Sequence, residues 1–337
     1  MSSQGTPSSF AQRPFPLVVR FARTARGEVC PNHERGHATP QASTVCYYRG
    51  MAAEANTEAA CTIDHRTLTL DGRRAFFREA IPSGESLGSL ILLHGWIGTS
   101  SWMFRHVLPE LGRRYHTVAP DLPGFGRSQT LAEAPSIDGY REFVRQLTDE
   151  LGIDRFHLVG VSVGATVALN FAHRYPERVL KLVVQGPVYR ATDLPRRFRF
   201  TYDLLGRIPV ITDLIPKTPV KWWFFVRRLD MGRDTRHLSE ADKRQLSRDI
   251  LRVPNETLLD VGRELLHIDM TEMARRIVVP TLVMDGSEAR MVPASASKEL
   301  SRLIPGAHWR LIRDAGHNAA IEKPREFLEA VLRFLGE

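Results

Sequence analysis

From about residue 64 the chain alternates between two hydrophobic patterns. Short apolar runs bounded by Gly and Pro predict buried strands, and longer segments with apolar residues every three to four positions predict helices. "RTLTLDGRRAFFREA" predicts a hairpin turning at Asp71-Gly72, a pair suited to a tight two-residue turn. "SLILLHG" predicts a fully buried strand over Ser89–Leu93 that runs into His94-Gly95, with a helical segment across Ser101 to Arg113 after it. "HTVAPDLPGFG" predicts a second buried strand ending in a Pro- and Gly-rich loop. "SIDGYREFVRQLTDELG" has helical spacing and a glycine stop at Gly152. A strand in "RFHLVGVS", a helix in "GATVALNFAHRYP" that ends before Pro176, and a strand in "VLKLVVQG" follow. Strands that alternate with helices predict an α/β fold with a mostly parallel sheet covered on both faces.

The alternation stops at Pro187 and resumes at "VPTLVMDG", where Pro280 opens a strand. "HWRLIRDAGH" predicts one more strand and "KPREFLEAVLRFLGE" the closing helix. A mostly helical insertion between two strands of one sheet is expected to cap the C-terminal ends of the strands, the edge where open α/β sheets bind ligands. The expected organisation is therefore a core of residues 61–186 and 271–337 with a helical cap over 187–270. Residues 1–60 carry no sustained period, and two readings stand for them: a disordered tail, or an upstream extension with Met51 as the natural start.

Composition narrows this picture. The 337 residues are 43% hydrophobic and 25% charged, the balance of a water-soluble globular chain. No run approaches the roughly 20 apolar residues that span a bilayer. The opening segment lacks the compact apolar stretch and cleavage site of a secretory signal, so a cytoplasmic location is expected. The net charge of +8 is concentrated: residues 187–255 hold 15 Lys plus Arg against 8 Asp plus Glu. No nucleic-acid-binding motif accompanies that excess, so no nucleic-acid partner is expected. A basic cap suits acidic substrates or peripheral contact with an anionic membrane surface, and it equally suits a solvated helical face. The three cysteines, Cys30, Cys46 and Cys61, all precede the regular part, which argues against a disulfide framework. Their spacing with His33 and His37 fits no zinc pattern, and no metal is expected.

The candidate chemistry starts at "GVSVGA". Gly160-Val161-Ser162-Val163-Gly164 is G-x-S-x-G, set between a predicted strand and a predicted helix. In that context the motif places the serine on a strained turn above the sheet, with glycines where side chains would clash. Ser162 is the candidate nucleophile. The backbone N–H groups of Val163 and of Trp96, the latter in "HGWIGTS", are candidate donors to an oxyanion. His317 in "DAGHNAAIEKP", after the last strand, is the candidate base, and the order serine then histidine fits this type of site. His94 is expected to fix its loop, and Asp121 in "DLPGFGRS" to tie down a turn. "KWWFFVRR" contributes Trp222, Trp223, Phe224 and Phe225 as candidate substrate-binding residues, with cap packing or membrane contact as the other readings.

Taken in order, "HGWIG", "DLPGFGRS", "GVSVGA", "PTLVMDG", "VP" and "GHNAAIEKP" make the chain resemble the α/β-hydrolase superfamily from about residue 64 to the end. The closer likeness is to the lid-containing branch with carboxylesterases, carbon–carbon bond hydrolases, epoxide hydrolases and haloalkane dehalogenases. The last two use an aspartate at the elbow, and Ser162 argues against both. The resemblance implies a serine hydrolase with a Ser-His-acid triad and no cofactor. It also exposes a departure. The family's acid stands three residues after the glycine that ends the "TLVMDG" strand, and that position is Ala289. Asp285 and Glu288 flank the turn, and Glu288 is the expected substitute because its longer side chain is suited to reach around it. The alternative acid position falls near Gln185-Gly186, which offers no carboxylate, and Asp193 lies beyond it. The expected activity is hydrolysis of a small-molecule carboxylic ester or related acyl bond with a hydrophobic portion. The alternatives are carbon–carbon bond hydrolysis at the same site and a catalytically impaired binding protein.

Overall fold

The computed structural model describes residues 61–96, 98–207 and 238–336. The expectations placed on residues 1–60 and on "KWWFFVRR" lie outside them. An eight-stranded sheet runs in the order β1-β2-β4-β3-β5-β6-β7-β8. Its strands are β1 (Cys61–Leu70), β2 (Arg73–Pro82), β3 (Ser89–Leu93), β4 (His116–Pro120), β5 (Phe156–Val161), β6 (Val179–Gln185), β7 (Thr281–Gly286) and β8 (His308–Ile312). The β1–β2 and β2–β4 pairs are antiparallel, and all later pairs are parallel. The hairpin turns at Asp71 and Gly72, both with positive φ, as that two-residue turn requires.

Burial follows the apolar pattern. Every residue of β5 and β7 is buried, because helices cover both faces of the sheet. Helix α1 (Ser100–Met103) and helix α2 (Leu108–Gly112) replace the single helical segment expected over residues 101–113. Pro109 enters at the start of α2, a place where its missing N–H costs nothing but where a continuous helix would lose a bond. Helix α3 (Ile137–Glu150) starts at Ser136, whose side chain accepts from the Gly139 N–H, and the chain leaves it through Gly152 at φ 66°. Helix α4 (Val163–Arg174) is buried over its first ten residues, packed beneath the parallel strands it connects.

Between β6 and β7 the chain inserts helix α5 (Arg196–Arg207), helix α6 (Glu240–Arg252), helix α7 (Asn255–His267) and the short helix α8 (Thr271–Ala274). Two backbone bonds close the base of this insertion: Ala191 N–H to Ile268 C=O and Met270 N–H to Tyr189 C=O, both 2.8 Å. Thr99 Oγ1 donates to Asp249 on α6 at 2.9 Å, and Trp102 Nε1 donates to the Asp242 carbonyl at 3.2 Å. The insertion is thus tied to the loop that follows β3. Helix α9 (Ala294–Leu303), helix α10 (Ala319–Glu322) and helix α11 (Pro324–Gly336) complete the chain. Among the described residues no helix is long and apolar enough to cross a membrane.

Candidate active site

Parallel register brings the C-terminal ends of β3, β5, β6 and β7 to one edge, and the site is built there. Ser162 stands between β5 and α4 at φ 55° and ψ −120°, a left-handed-side conformation that costs a non-glycine residue energy. Its N–H is held by the Gln185 carbonyl at 2.8 Å. The two flanking glycines are required by contact. A Cβ on Gly160 would lie 2.4 Å from the Gly164 carbonyl oxygen, and one on Gly164 would lie 2.2 Å from the Leu93 carbonyl oxygen. The elbow therefore exists because two backbones pass where no side chain fits.

His317 sits in the loop between β8 and α10, 155 residues from Ser162, with its Nε2 2.9 Å from Ser162 Oγ. Two groups that sequence reasoning missed hold that loop. Glu322 accepts from the N–H groups of Gly316 and Asn318, at 2.7 and 3.0 Å, and so grips the chain on both sides of the histidine. Gln185 Nε2 donates to the His317 carbonyl at 2.8 Å. The signal for Glu322 was its place four residues after Asn318 at the start of a helix, where a carboxylate meets unpaired N–H groups. Nothing local marked Gln185.

Burial holds the His317 imidazole well below its ordinary value, at about 4. The ring is therefore neutral at pH 7 and able to take a proton from the serine. With Nε2 accepting from Ser162 Oγ, the ring hydrogen resides on Nδ1, and Nδ1 is buried without a hydrogen-bond partner. Glu288 does not meet it. Its backbone N–H is fixed to the Ala315 carbonyl at 2.8 Å, and the residue is exposed on the turn after β7. Ala289, partly buried, brings no polar group. Asp285, by contrast, is fully buried at the end of β7. It accepts from Ser297 Oγ at 2.7 Å and from the Gly286 N–H at 2.9 Å. Burial raises its carboxyl to about 7, against the hydrogen bonds from Ser297, Gly286 and Gln185, which pull it down.

His94 and Asp121 fix the loops around this pair. His94 is buried and bridges two loops, with Nδ1 2.7 Å from the Gly95 carbonyl and Nε2 accepting from the Leu122 N–H at 2.8 Å. Asp121 accepts from Ser100 N–H, Ser100 Oγ and Arg127 N–H, which ties its turn to α1. Trp96 follows β3, and Val163 opens α4, where first-turn N–H groups have no intrahelical acceptor. Above Ser162 lies a pocket walled by Trp96, Met103, Val188, Leu194, Phe198, Leu265 and Met291. Phe198 from α5 packs edge-on against Trp96 at 5.8 Å and stacks on Tyr202 at 4.7 Å. The free volume left is about 20 Å³, room for about one water molecule. Among the described residues, no Lys or Arg lines it. Trp222, Trp223, Phe224 and Phe225, with the cationic residues Lys221, Arg227 and Arg228, lie outside the described residues.

Comparison with known proteins agrees with this fold. A family model described as the alpha/beta hydrolase fold matches residues 88–324. A 2-hydroxy-6-oxononadienedioate/2-hydroxy-6-oxononatrienedioate hydrolase of Klebsiella pneumoniae subsp. pneumoniae is 29% identical over 85% of this chain and 99% of that protein. A pyrrolizixenacetamide deacetylase of Xenorhabdus hominickii is 29% identical over 73% of this chain and 90% of its own. The solved structure of a thermophilic esterase from Thermogutta terrifontis superposes with a TM-score of 0.67 at 22% identity, covering 81% of this chain and 99% of that one.

Proposed function

The chain belongs to the alpha/beta hydrolase fold family, and from that premise we propose that it is a serine hydrolase of carboxylic esters with an uncharged, apolar acyl or alcohol portion. The observation that carries the reading is the 2.9 Å contact between Ser162 Oγ and His317 Nε2 on a strained elbow beneath an apolar pocket. In the proposed reaction Ser162 Oγ attacks the substrate carbonyl carbon while its proton passes to His317 Nε2. The carbonyl electron pair moves onto oxygen, where the Val163 and Trp96 N–H groups receive it. Collapse expels the alcohol, which takes the proton from Nε2. Water then attacks the acyl-enzyme with His317 as base, releasing acid and free serine. The helices inserted between β6 and β7 act as the cap. Phe198 and Leu194 from this insertion line the pocket over Ser162 and are placed to contact the substrate.

A second reading is carbon–carbon bond hydrolysis, supported by the names of several relatives, which act on dienoates and dienedioates. Such substrates carry carboxylates, and the described pocket wall offers them no cation. The apolar wall of Trp96, Met103, Val188, Leu194, Phe198 and Met291 is what supports the uncharged ester. A fluorophosphonate probe should label the wild-type protein and not Ser162→Ala. Among labelled-competent enzyme, a neutral aryl ester should exceed a carboxylate-bearing vinylogous diketone in kcat/KM by at least about tenfold, the discrimination a mismatched buried charge produces. The reverse ranking would move the carbon–carbon reading to first place. A folded wild type that never labels would favour a binding protein.

A further inference from the structure

We propose that Asp285 is the residue that orients and balances His317, acting on Nδ1 from across Gly186 in place of the aspartate absent at position 289. This rests on the serine-hydrolase reading above. Three observations meet at one point. Gly186 lies at φ 57°, directly after β6, and carries no side chain. A Cβ placed on it would be 3.0 Å from His317 Nδ1 and 3.4 Å from Asp285 Oδ1. Imidazole nitrogen and carboxylate oxygen therefore face each other over the bare glycine, no more than about 6.4 Å apart, the sum of those two distances. At such a separation the carboxylate charge acts on the imidazole through a low-dielectric interior. Nδ1 is a buried donor without an acceptor, and Asp285 is a fully buried carboxylate at the end of β7, the strand beside β8.

The surroundings fit a carboxylate kept for its charge. Asp285 is faced by Ser297 from α9, by its own neighbour's Gly286 N–H, by Gln185 from β6 and by His317 from the loop after β8. None of these carries a fixed positive charge, so nothing but the imidazolium formed in the reaction would neutralise it. Gln185 joins the two partners, donating to the His317 carbonyl and hydrogen-bonding Asp285. Isolated buried carboxylates are costly, and a strand as apolar as "TLVMDG" could hold a hydrophobic residue there at no such cost. In the reaction Asp285 gains and loses no proton. It stays ionised while the Ser162 proton resides on Nε2, and its charge stabilises the imidazolium until that proton leaves with the alcohol. Ionisation of Asp285 is the condition for this, and burial sets that event near neutrality.

The rate of fluorophosphonate labelling of Ser162, measured from pH 5 to 9, tests the proposal without a known substrate. For the wild type the rate should rise through a midpoint near pH 7 and then level. Asp285→Asn should label about 100-fold more slowly at pH 8, the effect of a unit charge over about 6 Å at an effective dielectric of about 20. It should also lose the midpoint near 7. Adding Ala289→Asp to Asp285→Asn should restore the rate, because a carboxylate then reaches Nδ1 from the family's usual position. A purely structural Asp285 predicts rate and pH profile intact whatever the melting temperature, and Asp285→Asn within about twofold of wild type would overturn the proposal. Should Asp285→Asn fail to fold, the wild-type profile decides: a rate flat from pH 5 to 8 overturns the proposal too. In both cases wild-type labelling survives, so the hydrolase reading stands. A wild type that never labels sinks both.

Discussion

Two turns at the same sheet edge carry the site, and they differ in how they do it. The turn from β5 into α4 is specified by contact at every position. Gly160 and Gly164 fill spaces where backbone atoms leave no room for a Cβ, and Ser162 is strained into the one orientation left. The turn from β7 into α9 has an equally fixed backbone, since a Cβ on Gly286 would run into the Gly316 carbonyl oxygen, but its acidic side chains are placed differently. Its family position for the acid holds Ala289, Glu288 faces solvent, and the buried carboxylate stands at Asp285, before the turn begins. The contrast teaches that a nucleophile requires a particular backbone, whereas an orienting charge requires only proximity in a low dielectric. A site can keep the first and reassign the second.

The strictest break of this comparison is at the serine. Ser162→Ala should abolish probe labelling and lower turnover by at least about 10⁴-fold, with an unchanged melting curve, since it removes only the attacking oxygen. Next comes the frame of the elbow. Gly164→Ala should destabilise the protein by about 3 kcal/mol or more, because the new methyl would meet the Leu93 carbonyl at 2.2 Å; urea unfolding would measure it, and wild-type stability would refute the packing argument. The carboxylate at the end of β7 should behave in the opposite sense. The Asp285 carboxyl is raised from an ordinary 3.8 to about 7. Because the folded value lies above the unfolded one, its favourable contribution is present below about pH 4 and is lost as pH rises through 7. Asp285→Asn should therefore raise stability at pH 8 by on the order of 3 kcal/mol, and the gain should vanish near pH 4. A variant that is slower and yet more stable would mark a residue retained for chemistry. The smallest effect is expected at the His317 loop after β8. Glu322→Gln weakens the grip on Gly316 and Asn318 and should lower the labelling rate about tenfold, with little change in affinity for the probe.

Legibility in the sequence follows the same division. β3 occupies Ser89–Leu93 and the first hairpin turns at Asp71-Gly72, as the apolar runs and the turn residues predict. Ser162 and His317 were readable because glycine spacing and chain order report on local backbone needs. The single helix expected over residues 101–113 was not: it ends at Met103, and a second helix restarts at Leu108 with Pro109 in its first turn. Glu288 looked suited to His317 by side-chain length, but the Ala315 carbonyl holds its backbone where the carboxylate meets water.

By itself the sequence determined the alternation of strands and helices, the elbow with its serine, the histidine that follows the last strand, and the absence of an acid at position 289. Each of these depends on periodicity or on steric needs within a few residues, which neighbouring residue types encode directly. Tertiary structure alone decided which carboxylate lies near Nδ1, that Gln185 and Glu322 hold the histidine loop, and that Phe198 lines the pocket over Ser162. Those contacts join residues from separate strands and the inserted helices. Their distances are set by parallel register and helix packing, which no short window of the chain contains.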